Sequence, residues 1–198
     1  MDAIILSGGG GSRLGGAEKA FLDLGGETLL ARKLAVLRGL FENVIIATND
    51  PERYNGAGAR VVADDEEGKG PLMGIYCGLR ASGAAHCFVT ASDTPFLLPA
   101  VAENLAAHAE GFDAVVPVWQ GRAEPLCAVY SNRCIPAIAA RGGAGSVRSF
   151  FDDVRVHYIG QEELDRLDPE GRSFFNINTP ADYEAAKELA RAKGGRCG

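Results

Sequence analysis

The chain has 198 residues, of which 46% are hydrophobic and 23% are charged, and its formal net charge is −6. The length predicts one globular domain with a substantial core, and the acidic balance argues against a broad nucleic-acid surface. No apolar stretch reaches the roughly 20 residues that span a bilayer, and no signal segment opens the chain, so we expect a cytoplasmic protein that does not bind membranes.

Short apolar runs alternate with longer amphipathic segments, which indicates an α/β fold with a mainly parallel sheet flanked by helices. Strands are predicted at 3–7, 43–48, 60–63, 86–91 and 113–118. Helices are predicted at 28–40, 71–82 and 99–108, and the last two open with a proline that suits the first helical turn.

The second half of the chain predicts a mixed sheet. A strand-like run covers 124–131, helical segments cover 133–140 and 146–151, and 154–159 alternates as an edge strand does. A last helix begins at Thr179-Pro180, with Thr179 as N-cap and Asp182 three residues later.

The cysteines and histidines form no pattern typical of a metal site. The five cysteines are odd in number and contain no Cys-x-x-Cys pair, so we expect reduced, mostly buried thiols. Cys197 is the exception, either an exposed and oxidisable thiol or part of a frayed terminus. His86, His108 and His157 are expected at helix or strand edges without clustering, which argues against zinc.

The most informative segment runs from Leu6 to Lys19 and reads LSGGGGSRLGGAEK. It directly follows an apolar run, so a glycine-rich loop is expected at the carboxyl end of the first strand, where open α/β sheets bind ligands. Glycines let backbone N–H groups approach phosphates closely, and Arg13 and Lys19 add positive charge. The segment therefore predicts a polyphosphate site.

Spacing excludes two better-known phosphate loops. The dinucleotide fingerprint requires glycines at n, n+2 and n+5, and no register within the glycine run satisfies it. A Walker A loop requires Gly-Lys followed by Ser or Thr, and neither Lys19 nor Lys69 meets that pattern. A plain glycine turn with two solvated cations is the alternative.

A carboxylate follows an apolar strand. Ser92-Asp93-Thr94-Pro95 comes directly after 86–91, and the proline prevents the strand from continuing. Asp93 is therefore expected at the carboxyl edge of the sheet, level with the glycine-rich loop. Because Mg²⁺ that bridges nucleotide phosphates is typically held by one or two carboxylates, Asp93 is the candidate metal ligand; a turn-forming side chain is the alternative.

Polar side chains also end the second and third predicted strands. Asn49 and Asp50 follow one, and Asp64 and Asp65 follow the other. A carboxylate accepts from two adjacent N–H donors, so such groups can read the edge of a base, and guanine offers paired donors. An ordinary turn after the second strand is equally compatible with the sequence.

Two asparagines precede the last helix. Asn176 and Asn178 flank Ile177, and in an extended segment both point to one face, where they would supply oxygens to a metal or bind phosphate. Alternatively, Asn178 helps to cap the helix.

A polar and aromatic cluster lies earlier in the second half. Arg122 and Glu124-Pro125 stand beside Trp119 and Gln120. Such a cluster suits the wall of a second substrate site, although a surface loop has the same composition.

Taken together, these segments resemble the molybdenum cofactor guanylyltransferases, within the wider group of nucleotidyltransferases. The matches lie in order over nearly the whole chain, which is far more specific than the glycine-rich loop alone. They are Leu6-Ser7-Gly8-Gly9 with Ser12, Arg13, Gly15 and Lys19, then Gly70-Pro71-Leu72-Met73-Gly74-Ile75, Asp93-Thr94-Pro95-Phe96, Glu124-Pro125-Leu126 and Phe175-Asn176-Ile177-Asn178-Thr179-Pro180.

The resemblance implies a single-domain Rossmann-like nucleotidyltransferase fold with a mostly parallel, mixed sheet. Residues 1–100 would form the nucleotide-binding half and residues 101–198 the acceptor-binding half. The implied reaction is Mg²⁺-dependent transfer of GMP from GTP to the terminal phosphate of molybdopterin, which yields pyrophosphate and the guanine dinucleotide form of the cofactor. A transient handover to a molybdoenzyme or a maturation chaperone is implied as well.

The resemblance also assigns roles by position. The catalytic groups would be Arg13, Lys19 and Asp93: the two cations hold the triphosphate, and Asp93 holds Mg²⁺. Asn49 and Asp64 would bind the guanosine, with Asp65 one residue away as the alternative. The full implied binding set is Leu6, Ser7, Gly8, Gly9, Gly10, Ser12, Arg13, Lys19, Asn49, Asp64, Asp93, Asn176 and Asn178.

Two positions depart from the family pattern: Leu14 replaces a methionine, and Ser7 replaces an alanine, so the Ser7 hydroxyl needs a partner. Neither change removes a charge.

Two other functions are compatible with the sequence. One is a cytidylyl- or guanylyltransferase with another phosphorylated acceptor, and the other is a non-catalytic nucleotide-binding partner in molybdoenzyme maturation. Retention of two phosphate-facing cations and a metal ligand argues against the latter.

Overall fold

The computed structural model describes residues 1–8, 13–14 and 17–194, without the side chains of Arg13 and of residues 192–194. Its strands are β1 Asp2–Leu6, β2 Arg13–Leu14, β3 Ala17–Glu18, β4 Val44–Thr48, β5 Arg60–Ala63, β6 His86–Ala91, β7 Ala114–Trp119, β8 Arg122–Ala123, β9 Cys127–Ser131 and β10 Val156–Ile159. Its α-helices are α1 Leu29–Arg38, α2 Pro71–Ala81, α3 Pro99–Ala107, α4 Ile135–Ala139, α5 Gln161–Leu167 and α6 Pro180–Gly194.

The described strands form one large sheet and one small hairpin. The sheet has eight strands in the order β10-β7-β9-β6-β1-β4-β5, with β8 paired to β7. Strands β6, β1, β4 and β5 are parallel, whereas β9 pairs antiparallel with both β6 and β7. Strand β10 pairs parallel with β7 at the edge, and β2 and β3 form the hairpin. The predicted mixed, mostly parallel sheet is confirmed.

Helices cover both faces of the sheet because successive strand side chains point in opposite directions. Ile5 of β1 packs in a core with α1, α3 and α5, whereas Ile4 packs in a second core with α2 and α4. A Cβ at Gly78 would lie 2.8 Å from the Ile4 side chain, so glycine allows α2 to lie this close to β1. The three layers present the carboxyl ends of β1, β4, β5 and β6 along one edge.

The element predictions hold well in the first half and less well in the second. Strands 60–63 and 86–91 are found unchanged, and the other early elements shift slightly at their ends. The strand predicted from 124 begins only at Cys127, because a turn closed by the Cys127 N–H and the Glu124 carbonyl at 3.1 Å precedes it. The segments predicted as helix from 133 and 146 contain the 3-10 helices Asn132–Cys134 and Val147–Asp153.

Four of the described strands and α-helices, β2, β3, β8 and α5, are not among the predicted ones. Each of the three strands has only two residues, and α5 has a single buried apolar side chain, Leu164, so none of them leaves a periodic pattern. The predicted edge strand is confirmed as β10.

The buried thiols are confirmed for the four described cysteines, and the three histidines lie at the predicted ends and edges of elements, but the expectation that they do not cluster is wrong for one pair. The rings of His108 and His157 stack with centroids 5.4 Å apart, since the fold brings the end of α3 beside β10. Within the described part of the chain, no group of three or more His, Cys, Asp or Glu is placed to hold a metal, and no helix is long and apolar enough to cross a membrane. Cys197 lies outside the described residues; the free, buried thiols are Cys77, Cys87, Cys127 and Cys134.

Candidate active site

A cleft of about 440 Å³ lies at the carboxyl ends of β1, β4, β5 and β6. Most of the predicted binding residues line it: Leu6, Ser7, Gly8, Lys19, Asn49, Asp64, Asp93, Asn176 and Asn178. Gly9, Gly10 and Ser12 lie outside the described residues, as does the side chain of Arg13, so their roles stay predictions. The fold thus brings together groups from five separate segments of the chain.

Lys19 connects two of these groups. It lies in a 3-10 helix after the glycine-rich loop and is only 3% exposed. Its Nζ donates hydrogen bonds to Oδ2 of Asp93 at 3.1 Å and to Oδ1 of Asn178 at 2.9 Å. One buried ammonium group therefore holds a carboxylate and an amide oxygen side by side in the cleft wall.

Asp93 directly follows β6 and remains accessible from the cleft, because 21% of its side chain is exposed. Its carbonyl accepts a hydrogen bond from the Ile177 N–H at 3.0 Å, and the Ser92 N–H donates to the Leu6 carbonyl at 3.0 Å. Backbone contacts thus tie the Asp93 loop both to β1 and to the segment that carries the two asparagines.

The Asn178 side chain faces Lys19 and does not cap α6. The cap is formed by Thr179, whose Oγ1 accepts from the Asp182 N–H at 3.2 Å. Oδ2 of Asp182 in turn accepts from the N–H groups of Asn178 and Thr179, at 2.9 and 2.8 Å. The predicted capping residues are confirmed, and the Asn178 amide is left for the cleft. Asn176 also lines the cleft, and its Nδ2 donates to the Phe174 carbonyl at 3.1 Å.

The structure separates Asp64 from Asp65. Asp64 lines the cleft, and its Oδ1 is buried without a hydrogen-bond partner among the described residues. Burial raises the pKa of the Asp64 carboxyl to about 6, with a smaller contribution from the charge of Asp65. Asp65 instead forms an exposed ion pair with Arg80 at 2.8 Å. Asp64 is therefore the carboxylate available to a ligand in the cleft.

Of the two neighbours Asn49 and Asp50, only Asn49 lines the cleft. Asn49 lines the cleft so close to Gly8 that a Cβ on Gly8 would lie 2.9 Å from Oδ1 of Asn49. A side chain at this position would therefore displace the Asn49 amide. Asp50 forms an exposed ion pair with Arg53 at 2.9 Å, outside the cleft.

The Ser7 hydroxyl has the partner that the sequence requires. Its Oγ lies 2.6 Å from the hydroxyl oxygen of Tyr54, a buried residue in the 3-10 helix Pro51–Tyr54. No local pattern identifies Tyr54 as this partner, because the two residues are far apart in the chain.

Lys33 is a site-supporting residue that sequence reasoning missed. It is 2% exposed, and its Nζ donates to Oγ1 of Thr90 at 3.1 Å and to both the hydroxyl and the carbonyl oxygen of Thr94. Burial lowers its pKa to about 8. A signal was present, since Lys33 stands four residues from both Leu29 and Leu37 on the buried face of α1.

A second cavity, of about 570 Å³, adjoins the cleft. It is lined by the predicted cluster of Trp119, Gln120, Arg122 and Glu124. A smaller cavity of about 150 Å³ lies between the two: it shares Glu124 and Phe174 with the second cavity, and Leu126 and Asn176 with the cleft. The three cavities therefore lie next to one another in the order cleft, smaller cavity, second cavity.

The sequence of the chain is similar to those of known nucleotidyltransferases. The family model described as the MobA-like NTP transferase domain matches residues 3–160. The chain is 40% identical to a probable molybdenum cofactor guanylyltransferase of Pelotomaculum thermopropionicum, over 94% of this chain and 92% of that one. It is 38% identical to a molybdenum cofactor guanylyltransferase of Desulfosudis oleivorans, over 97% and 98% of the two chains.

Solved structures give the same result. Molybdopterin-guanine dinucleotide biosynthesis protein A from Archaeoglobus fulgidus superposes with a TM-score of 0.84 at 30% identity, covering 97% of this chain and 100% of that one. A 2-C-methyl-D-erythritol 4-phosphate cytidylyltransferase from Thermus thermophilus superposes with a TM-score of 0.70 at 22% identity, covering 96% and 98%, which shows a shared fold.

Proposed function

Because the chain belongs to the MobA-like NTP transferase family, we propose that it transfers GMP from GTP to the terminal phosphate of molybdopterin, releasing pyrophosphate and forming the guanine dinucleotide cofactor. The observation that carries this proposal is the cleft itself. Lys19 holds Asp93 and Asn178 in its wall, and the Asp64 carboxylate lines it as well. Such a cleft offers positive charge and oxygen ligands to a triphosphate and an acceptor to a base.

Nucleotidyltransferases of this kind point to a divalent cation, which we take to be Mg²⁺. The residues fit such an ion: Asp93 is a partly exposed carboxylate, and the Asn178 amide oxygen lies beside it, both bonded to one ammonium nitrogen. Hard cations prefer oxygen ligands, and few protein carboxylates are needed where phosphates complete the set. When bound there, the ion would neutralise charge on the phosphate oxygens.

The remaining chemistry is assigned to the chain's own side chains. A phosphate oxygen of the acceptor attacks the α-phosphorus of GTP, the bond from that phosphorus to the β-phosphate oxygen breaks, and pyrophosphate leaves. The acceptor oxygen is already anionic at neutral pH, so no strong general base is required. Lys19 and Arg13 stabilise the charge on the departing pyrophosphate, and the cleft aligns the reacting atoms.

Base selection is assigned to Asp64 and Asn49. The Asp64 carboxylate, which lines the cleft, is the acceptor for the ring N–H and the exocyclic amine of guanine. Adenine presents an acceptor where guanine has its ring N–H, and the cytosine ring is too small to fill the site. A site that depends on such hydrogen bonds rejects analogues that lack them by about 10⁴-fold.

The test is nucleotidyl transfer by the purified full chain, with molybdopterin, MgCl₂ and equal concentrations of GTP, CTP and ATP. We expect pyrophosphate release together with molybdopterin guanine dinucleotide identified by mass spectrometry. A preference for CTP would replace this proposal with a cytidylyltransferase. Tight GTP binding without pyrophosphate release would identify a non-catalytic maturation partner.

A further inference from the structure

The second cavity is built around an indole ring whose position is fixed. Trp119 ends β7 and pairs with Arg122 of β8, and its ring stacks on Phe174 with centroids 5.5 Å apart. Gly171, at φ 63°, lies against the indole so closely that a Cβ there would overlap the ring. The aromatic wall is therefore held from two sides.

The cavity also contains a carboxylate that the fold leaves unused. Glu124 is half-buried, and within the described residues its side chain forms no hydrogen bond or ion pair. Burial raises its pKa, and the charges of Arg122 and Arg148 oppose this in part. Glu170 lines the same cavity but is already paired with Arg172 at 2.6 Å. Glu124 is thus the carboxylate available to a ligand here.

An aromatic wall beside a free carboxylate suits a flat heterocycle with adjacent N–H donors. A pterin has such an edge, formed by its ring N–H and 2-amino group, and its ring face packs on aromatic side chains. Resting on the proposed function, we propose that this cavity binds the pterin ring of the acceptor, with Glu124 accepting from the ring N–H and the 2-amino group beside Trp119. Glu124 is then a specificity-determining residue.

The size and position of the second cavity suit a pterin whose phosphate must reach the nucleotide in the cleft. A volume of about 570 Å³ lies within the roughly 300–1,000 Å³ typical of small-molecule sites. The smaller cavity is lined by Glu124 and Phe174 of the second cavity and by Leu126 and Asn176 of the cleft. A pterin bound at Glu124 would therefore extend its phosphate-bearing side chain past this smaller cavity toward the nucleotide.

Trp119 is the only tryptophan of the chain, so its fluorescence reports on this cavity alone. The experiment titrates the full-length protein, without nucleotide, with 6-hydroxymethylpterin and with its lumazine counterpart, in which oxygen replaces the 2-amino group. We expect saturable quenching by the pterin and about tenfold weaker binding of the lumazine, as the loss of a charge-assisted hydrogen bond predicts. Free tryptophan amide titrated with the same ligand supplies the correction for light absorbed by the ligand, and Trp119→Phe gives the emission of the pterin itself.

Glu124→Gln should raise the pterin Kd about tenfold or more, because the new amide N–H faces the 2-amino group. Glu170→Gln is the matched control, with an unchanged Kd. The proposal is overturned if the pterin does not quench Trp119, if Glu124→Gln binds as tightly as wild type, or if GTP alone gives the same Glu124-dependent quenching.

The quenching and the transfer assays distinguish this subsite from the proposed function. GMP transfer by the wild-type protein without pterin quenching would overturn this subsite and leave the transferase reaction intact. Glu124-dependent quenching without GMP transfer would support the subsite and overturn the reaction.

Discussion

Nζ of Lys33 donates a 2.6 Å hydrogen bond to Oγ1 of Thr94, the residue that directly follows Asp93. A second bond joins the same ammonium group to Oγ1 of Thr90 at 3.1 Å. A buried cation on α1 thus holds the end of β6 together with the loop that carries the proposed metal ligand. The position of Asp93 depends on a residue that never reaches the cleft.

Lys33→Met should weaken the response to the divalent cation. Loss of about 1–2 kcal/mol of anchoring would raise the half-saturating Mg²⁺ concentration for pyrophosphate release roughly five- to thirtyfold. Thr94→Val removes only the hydroxyl contact of the same ammonium group, so adding it to Lys33→Met should have little further effect, and Thr94→Val alone should have a smaller effect than Lys33→Met. An unchanged Mg²⁺ response in a folded Lys33→Met protein would exclude this anchoring role.

Lys19→Ala should lower kcat/KM about tenfold or more, because a charge-assisted phosphate contact contributes about 1.5–3 kcal/mol. Steady-state kinetics with GTP and molybdopterin measure this. Lys187→Ala is the matched control, since Lys187 pairs with Glu184 on α6, outside the cleft. Equal kinetics for the two variants would show that Lys19 does not contact the phosphates of GTP.

Asp93→Ala should reduce GMP transfer about a hundredfold or more, since it removes the proposed carboxylate ligand of the cation. Circular dichroism should show a normal fold, because Asp93 lies beyond the end of β6. Retention of more than about a tenth of the wild-type rate at saturating Mg²⁺ would mean that the cation is held elsewhere.

Asp64→Asn and Asp65→Asn each remove one of two neighbouring carboxylates, so each variant is the control for the other. Asp64 lines the cleft, whereas Asp65 is paired with Arg80. Only Asp64→Asn should therefore reduce the discrimination between GTP and ATP. The reason is that the new amide group places a donor opposite the donors of guanine. The ratio of kcat/KM values for the two nucleotides is the measurement. A similar ratio in both variants would show that neither carboxylate reads the base.

GTP affinity should depend on pH through Asp64. Its pKa is about 6 in the free protein, and only the ionised form accepts two hydrogen bonds, so affinity should be full above that value and should fall about tenfold per pH unit well below it. Isothermal titration from about pH 8 to about pH 5 follows the change. Asp64→Asn corrects for titration of the GTP phosphates, and an identical pH profile in that variant would contradict the assignment.

The sequence by itself determined the α/β class, most element positions and the composition of the cleft. These features rest on local signals: apolar periodicity, proline at the start of α2 and α3, and polar residues directly after strands. Because the carboxyl ends of parallel strands meet at one edge, the order of strands and polar residues along the chain is enough to group Lys19, Asp64 and Asp93. The resemblance between sequences then added the substrates.

Only the tertiary structure decided which neighbouring side chain points where. Asp64 rather than Asp65 faces the cleft, Asn178 faces Lys19 rather than α6, and Lys33 lies beneath the Asp93 loop. Each outcome depends on a partner far away in the chain, which no local pattern specifies. The direction of a side chain follows from strand register and from the packing of distant helices, and these exist only once the whole chain has folded.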